Sequence, residues 1–306
     1  MIGAVDIGGT KIAVGMVDPS GKVLARMQAP TDPENYSNGI ELIARMLRAT
    51  AENAGEEFSG IGIGSTGPVD PVLGEFGDVD FLPGWRGRSP VKDLAQIFKL
   101  RVALENDGDA AALAEAGWGV GRNCSRLIYV TVGTGIGGGI ILDGQLYRGV
   151  DGAHPEVGHQ VVDPAGPKCS CGFRGCWESL AAGPAMVAWL EAHAPSSYLH
   201  SSGITAKQIC ELAQEGDEVA LQAVEHEAYY LGLGIANLIN LFTPEVIVLS
   251  GSVMKSAPLF LDRIRAVIGS GCRFVPAAKT QLTLASLGED TNLVGAARVW
   301  HYRFGK

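Results

Sequence analysis

Near its start the sequence contains a β-rich run around a glycine turn, IGAVDIGGTKIAVGMVD at residues 2–18. Residues 128–144, IYVTVGTGIGGGIILDG, repeat this pattern: apolar and β-branched residues flank a Gly/Thr turn, and the run reaches an aspartate before the next turn. The pattern predicts two strands joined by a tight turn. Because it occurs twice, we expect two similar halves, each starting with an antiparallel hairpin.

The remaining segments alternate between helix and strand patterns. Apolar residues with helical spacing predict a helix over residues 39–54. Further strands are predicted at residues 60–64, 100–105 and 245–249, and further helices at residues 109–118, 184–193, 205–215, 218–242 and 292–301. This alternation is typical of an α/β fold. We expect an amino-terminal lobe of residues 1–115 with 290–306, a carboxy-terminal lobe of residues 116–289, and a cleft between them.

Length and composition limit the functional classes. The 306-residue chain is 46% hydrophobic and 19% charged, which suffices for a large core in two domains. Its net charge of -9 disfavours binding to nucleic acid. Asp6 interrupts the first apolar run, and polar residues interrupt the apolar stretch at 231–249, so neither a signal peptide nor a membrane span is expected. The cysteine usage suggests a reducing cytoplasm.

The two glycine turns are candidates for phosphate binding. Residues 133–139, GTGIGGG, match the Gly-x-Gly-x-x-Gly pattern of dinucleotide folds, but a strand pattern follows where that motif needs a helix. Glycine backbone N–H groups can still surround a phosphate, and the turn at residues 8–11, GGTK, adds the cation of Lys11. The simpler interpretation is a pair of tight hairpin turns; two copies, each with a threonine hydroxyl, favour phosphate binding.

Glu105-Asn106-Asp107 follows a predicted strand and precedes a predicted helix. Open α/β folds bind ligands at such strand ends. Asp107 can accept a proton from a hydroxyl, and the Asn106 amide suits a pair of adjacent hydroxyls. The alternative is helix capping, for which Asp109 is better placed.

One imidazole and three thiols lie within eighteen residues: His159, Cys169, Cys171 and Cys176. They form the ligand set of a closed tetrahedral zinc site, in which the metal is structural because no position is open for water. The alternative is a group of buried thiols beside a packed histidine. Glu156 and Glu178 flank the segment, so a metal here would also hold two carboxylates in place.

With these motifs placed, the chain resembles the ROK family of bacterial-type sugar kinases and repressors, within the actin-like ATPase superfamily, over essentially its whole length. The resemblance is carried by residues 6–11 (DIGGTK), 105–107 (END), 133–138 (GTGIGG), 156–159 (EVGH) and 169–178 (CSCGFRGCWE). It implies two actin-like, ribonuclease H-like α/β domains and phosphorylation of a hexose 6-hydroxyl by ATP. Family repressors carry an added N-terminal helix-turn-helix domain, and Asp6 comes too early for one, so a kinase is expected. The resemblance also suggests a homodimer.

The resemblance implies roles for the matching residues. Asp107 is expected to be the catalytic base. Its expected partners in binding the sugar are Gly67, Asn106, Glu156, His159 and Glu178, with one ring nitrogen of His159 on the sugar and the other on zinc. The residues expected to hold ATP are Asp6, Gly8, Gly9, Thr10, Lys11, Gly133, Thr134, Gly135, Gly137, Gly138, Gly251 and Ser252. Asp6 is expected to orient the Mg²⁺ bound to ATP through water.

The choice of sugar depends on two segments. Residues 82–85, LPGW, resemble the Leu-Gly-Trp segment of the family's glucokinases, which favours glucose. Residues 65–68, STGP, resemble the family's N-acetylhexosamine kinases instead. A glucokinase is therefore expected, and an N-acetylmannosamine, N-acetylglucosamine or fructose kinase is the alternative. A non-catalytic sugar sensor is a third hypothesis, disfavoured by Asp107 and the two hairpins. Asp109 stands where the family often has Asn, a change expected to be neutral.

Overall fold

The computed structural model describes residues 1–194 and 203–305 and divides the chain into two compact units. The first unit comprises residues 1–127, 139–155 and 285–306, and the second comprises residues 128–138 and 156–284. The lobe boundary predicted at residues 115 and 116 falls inside the first unit. Glu115 gives a physical reason for this, because its carboxylate accepts a hydrogen bond from the backbone N–H of Ser286 at 2.9 Å.

The first part of the chain builds a five-stranded sheet with strand order β3-β2-β1-β4-β7. Strand β1 is antiparallel to β2 and parallel to β4, which confirms the first predicted hairpin. The elements up to residue 117 are β1 Ile2–Ile7, β2 Lys11–Val17, β3 Val23–Pro30, α1 Tyr36–Ala54, β4 Gly60–Ser65, β5 Val69–Asp70, β6 Glu75–Phe76, α2 Pro90–Phe98, β7 Arg101–Asn106 and α3 Asp107–Gly117.

The rest of the chain contributes a second five-stranded sheet with strand order β10-β9-β8-β11-β12. Its first two strands in the chain form the second predicted hairpin, and β9 begins in the second unit and runs into the first. The elements are β8 Leu127–Val132, β9 Ile136–Leu142, β10 Gln145–Leu146, α4 Trp177–Ala181, α5 Gly183–His193, α6 Ala206–Gln214, α7 Glu218–Phe242, β11 Val246–Ser250, α8 Leu261–Gly271, β12 Gln281–Leu284 and α9 Thr291–Phe304. None of the helices in the described ranges has the length and apolar character needed to cross a bilayer.

Helices cover both faces of the first sheet because its strands are apolar on both sides. Val5 and Ile7 of β1 belong to a core with α1 and α2, whereas Ala4 packs with α9. Gly62 of β4 allows α9 to approach the strand closely, since a Cβ at this position would overlap the carbonyl oxygen of Ala296. This layered core fixes the carboxyl ends of β1, β4 and β7, where the candidate catalytic residues lie.

Candidate active site

The strand-to-helix junction between β7 and α3 carries the predicted catalytic residues. Asn106 is the N-cap of α3, and its Oδ1 accepts a hydrogen bond from the N–H of Gly108 at 2.8 Å. The Asp107 Oδ1 accepts from the same N–H, also at 2.8 Å. The predictions that the helix begins at Asp109 and that Asp109 caps it are therefore wrong. The helix begins two residues earlier, because the Asn106 amide already satisfies the first turn.

Asp6 and Gly67 also lie at this edge of the first sheet. Asp6, near the end of β1, accepts a hydrogen bond from the Asn292 side chain at 3.2 Å. Burial raises the pKa of Asp6 to about 6; the Asn292 hydrogen bond lowers it, and the charge of Asp107 raises it further. A Cβ added to Gly67 would lie 2.9 Å from the Asn106 Nδ2, so Gly67 is next to the capping residue.

The predicted phosphate turn of the first unit connects β1 to β2. The N–H of Gly8 donates to the carbonyl oxygen of Lys11 at 2.9 Å, and the Thr31 hydroxyl donates to the carbonyl oxygen of Gly8 at 2.7 Å. These hydrogen bonds hold the turn in place, and the side chains of Thr10 and Lys11 are exposed. The turn thus exposes one hydroxyl and one cation to solvent, and a cation beside a glycine turn is compatible with an anion site.

The four predicted metal ligands converge in the second unit. Their ligand atoms all lie within 4.8 Å of one another. The Cys171 and Cys176 sulfurs are 3.4 Å apart, too far for a disulfide, and the Cys169 sulfur is 3.5 Å from Nδ1 of His159. Two sulfurs bound to one tetrahedral zinc ion at about 2.3 Å would be about 3.8 Å apart. The donor set and its spacing therefore fit zinc, with Nδ1 as the histidine ligand.

The segment of the metal cluster also carries the two predicted sugar-binding carboxylates. Glu156 precedes the short 3₁₀ turn Val157–His159, and its carbonyl oxygen accepts from the His159 N–H at 3.1 Å. Cys176 is the residue before α4, so Glu178 lies in the first turn of that helix. Both carboxylates are therefore close in sequence to a cluster ligand whose backbone is part of an ordered turn.

Glu178 also contacts the glycine turn of the second sheet. Its Oε2 accepts from the N–H of Ile136 at 2.9 Å, and a Cβ added to Gly135 would overlap the same oxygen. The turn is closed by a hydrogen bond from Gly133 N–H to the Gly135 carbonyl at 2.9 Å, and Gly137 and Gly138 continue into β9. Because Gly135 has no side chain, the Glu178 carboxylate can reach the backbone N–H of Ile136.

A pocket of about 540 Å³ lies beside this turn, within the size range of ligand sites. Gly133, Thr134 and Ser252, which were predicted to bind the nucleotide, are among its lining residues, and Gly251 connects Ser252 to the end of β11. The sequence did not indicate the other lining residues, which belong to α5 and to residues 204–207. One local signal was available: Pro184, in the first turn of α5, is typical of a helix start.

The chain is similar to known proteins over nearly its whole length. Residues 2–303 match the ROK family. Glucokinase from Thermotoga maritima is 32% identical over 98% of this chain and 97% of its own length. The crystal structure of a ROK family glucokinase from Streptomyces griseus, in complex with glucose and AMPPNP, has a TM-score of 0.80 and is 34% identical, covering 97% of both chains. A xylose repressor from Bacillus spizizenii is 33% identical over 78% of this chain and 60% of its own. The chain belongs to the ROK family.

Proposed function

We propose that this protein is an ATP-dependent hexose 6-kinase whose preferred substrate is glucose. The main support for the proposal is the β7–α3 junction. Asp107 is the first residue of α3 there, and it follows the capping residue Asn106, which lies next to Gly67. The similarity to two named glucokinases over nearly the whole chain supports the reaction and the choice of sugar.

The proposed mechanism assigns a task to each part of the chain. Asp107 accepts the proton of the sugar 6-hydroxyl as that oxygen attacks the terminal phosphorus of ATP. Asn106, Glu156, His159 and Glu178 bind the remaining hydroxyls, with Nε2 of His159 left for the sugar because Nδ1 faces the thiols. The turns at 8–11 and 133–138 donate backbone N–H groups to the phosphates. Mg²⁺ supplied with ATP would neutralise phosphate charge, and Asp6 would orient it through water.

We further propose that the metal cluster binds a structural zinc ion. The four protein ligands would leave no position for a reacting water, and the metal would hold the loop that carries Glu156 and Glu178. We also propose that the protein is a homodimer in a reducing cytoplasm. Light scattering on the purified protein measures its mass in solution and so tests the dimer.

Replacement of Asp107 by Asn tests the function. We expect the wild-type protein to release ADP in the presence of glucose, ATP and Mg²⁺, and D107N to lower kcat by about 10²–10⁴-fold, since the amide cannot accept the proton. Asp262→Asn, at a side chain that is 92% exposed on α8, is the matched control and should retain wild-type kcat. Undiminished sugar phosphate formation by D107N would refute the assignment.

A panel of sugars decides the substrate. Values of kcat/KM for glucose, fructose, N-acetylmannosamine and N-acetylglucosamine compare the expected substrate with the alternatives, because discrimination depends on the hydroxyl and acetamido contacts that the site makes. The similarity to a xylose repressor supports a second candidate, a sugar-responsive regulator. Tight sugar binding by calorimetry with no turnover of any sugar would favour that candidate.

A further inference from the structure

A buried ionic cluster lies in the first unit beneath the candidate catalytic junction. Its members are Glu105, Asp109, Arg148 and His154. The Asp109 side chain is completely buried and Glu105 is 5% exposed. Fully buried acids in proteins are almost always paired, so a cluster that pairs two of them is a specific feature of the fold.

Arg148 connects the two acids through separate nitrogens. Its NH2 group donates to Oε2 of Glu105, and its NH1 group donates to Oδ2 of Asp109. His154 approaches the same Asp109 oxygen with Nδ1 at 2.8 Å. The other Asp109 oxygen, Oδ1, has no hydrogen-bond partner within the described part of the chain. Asp109 is therefore held through one oxygen, by Arg148 and His154.

The two acids that Arg148 joins lie on either side of Asp107 in the sequence. Glu105 is the second-last residue of strand β7, and Asp109 is in the first turn of α3. Asp107 takes its orientation from this first turn, because its carboxylate and the Asn106 amide share the N–H of Gly108. A guanidinium that bonds both sides of the junction fixes the angle at which the helix leaves the strand.

We propose that Arg148 is a positioning residue for the phosphoryl transfer: by tying Glu105 to Asp109 it holds the β7–α3 junction, and with it the Asp107 carboxylate, in the reactive orientation. The inference rests on the proposed kinase function. It also gives Asp109 a task that an Asn would perform less well, since a neutral amide forms a weaker bond to guanidinium. A displacement of a catalytic group by about 1 Å can lower the rate by about 10²-fold.

The test compares variants of the full-length protein. We expect Arg148→Met to lower kcat about 10²-fold with the KM for glucose changed by less than about threefold, because orientation is lost and the sugar contacts remain. Arg148→Lys keeps the charge but cannot bond both acids in a fork, so we expect kcat between those of R148M and the wild type. If R148M does not fold, R148K decides: wild-type kcat in R148K overturns the proposal.

Arg298→Met is the matched control. Arg298 lies over the Trp118 ring, 5.3 Å from its centroid, just beyond the other end of α3. R298M therefore removes a half-buried guanidinium from the same unit without touching the junction, and kcat should stay within about twofold of the wild type even where Tm falls. An equal loss of kcat in R298M and R148M would show that general destabilisation is responsible, and would overturn the proposal.

A crystal structure of R148M gives a readout that does not require activity. We expect the Asp107 carboxylate to be displaced by about 1 Å or more while the core of the unit is retained. An unmoved Asp107 overturns the positioning role whether or not the enzyme turns over. Absence of sugar phosphorylation by the wild-type protein, by contrast, rejects the proposed function and leaves the displacement of Asp107 as the measure of the role of Arg148.

Discussion

At the level of single residues, burial changes the acid–base behaviour of Glu105. Burial raises its pKa from 4.5 to about 7; Arg148 lowers the pKa, Asp109 raises it, and Arg303 lowers it. Burial dominates because the carboxylate loses its hydration, and the shared guanidinium offsets only part of this loss. The protonation of Glu105 should therefore affect folding at pH values where exposed glutamates stay ionised.

We predict that Glu105 makes stability decrease with rising pH. Below pH 4.5 the group is neutral in both the folded and the unfolded chain; between 4.5 and about 7 it ionises only in the unfolded chain, which lowers the free energy of unfolding. From pH 4 to pH 8, the unfolding free energy of the wild type should fall by on the order of 3 kcal/mol relative to that of Glu105→Gln. Urea titrations at several pH values measure it.

Glu41→Gln is the control for this prediction, because Glu41 is an exposed glutamate on α1. Its difference curve should be flat over the same interval. A flat curve for E105Q as well would contradict the prediction.

Some features of single residues could be predicted from the sequence and others could not. The placement of Asp107 at a strand-to-helix junction and the convergence of the four metal-ligand positions were predictable, because these residues lie within short motifs. The role of Arg148 was not, because its partners are 39 and 43 residues away in the chain. The capping role of Asn106 was missed for a local reason: Asn and Asp are both good N-caps, and only the backbone shows which one precedes the helix.

At the level of elements, glycine determines how closely α9 packs on β4. Gly62→Ala would place a methyl group against the backbone oxygen of Ala296, which cannot rotate away. We predict a loss of about 3 kcal/mol or more in the free energy of unfolding, at the upper end of overpacking effects. Chemical denaturation of the variant measures this loss.

Gly269→Ala is the matched control for G62A. Gly269 is an exposed residue of α8 with open space around its Cα, so an alanine there should stabilise the helix by about 0.5–1 kcal/mol. Equal effects of the two substitutions would mean that the contact with α9 does not limit the packing.

The segment of the metal cluster is expected to support sugar binding. Cys171→Ser removes one ligand, and we expect zinc content to fall and the KM for the sugar to rise by about tenfold or more, because the loop bearing Glu156 and Glu178 loses its support. Mass spectrometry of the metal and steady-state kinetics are the measurements. Cys124→Ser, outside the cluster, should leave both values unchanged. Wild-type KM in a C171S protein without metal would refute the supporting role.

The elements differ in how well their patterns predicted them. The two hairpins and α7 were predictable, because apolar periodicity and turn residues agree over long runs. Strand β3 was not predicted: it is an edge strand in which even the apolar residues Leu24 and Met27 are exposed, so its sequence does not distinguish one buried face. Strand β12 has four residues and was missed because a pattern of that length carries little signal.

At the level of the whole molecule, the two sheets share one arrangement. In each, a hairpin and a third strand occupy one side, and two later strands occupy the other. The repeat of the sequence pattern predicted this duplication. The boundaries of the compact units could not be predicted, because β9 crosses from one unit to the other and Glu115 binds a distant segment near Ser286.

The bond from the Ile136 N–H to Glu178 has a thermodynamic consequence for the proposed kinase. One carboxylate would then serve both ligands, directly toward the sugar and through the backbone toward the phosphates of ATP. Linkage requires reciprocity: the factor by which glucose tightens the binding of the nucleotide must equal the factor by which the nucleotide tightens the binding of glucose. Cooperative loading of the two substrates would thus begin from a single shared carboxylate.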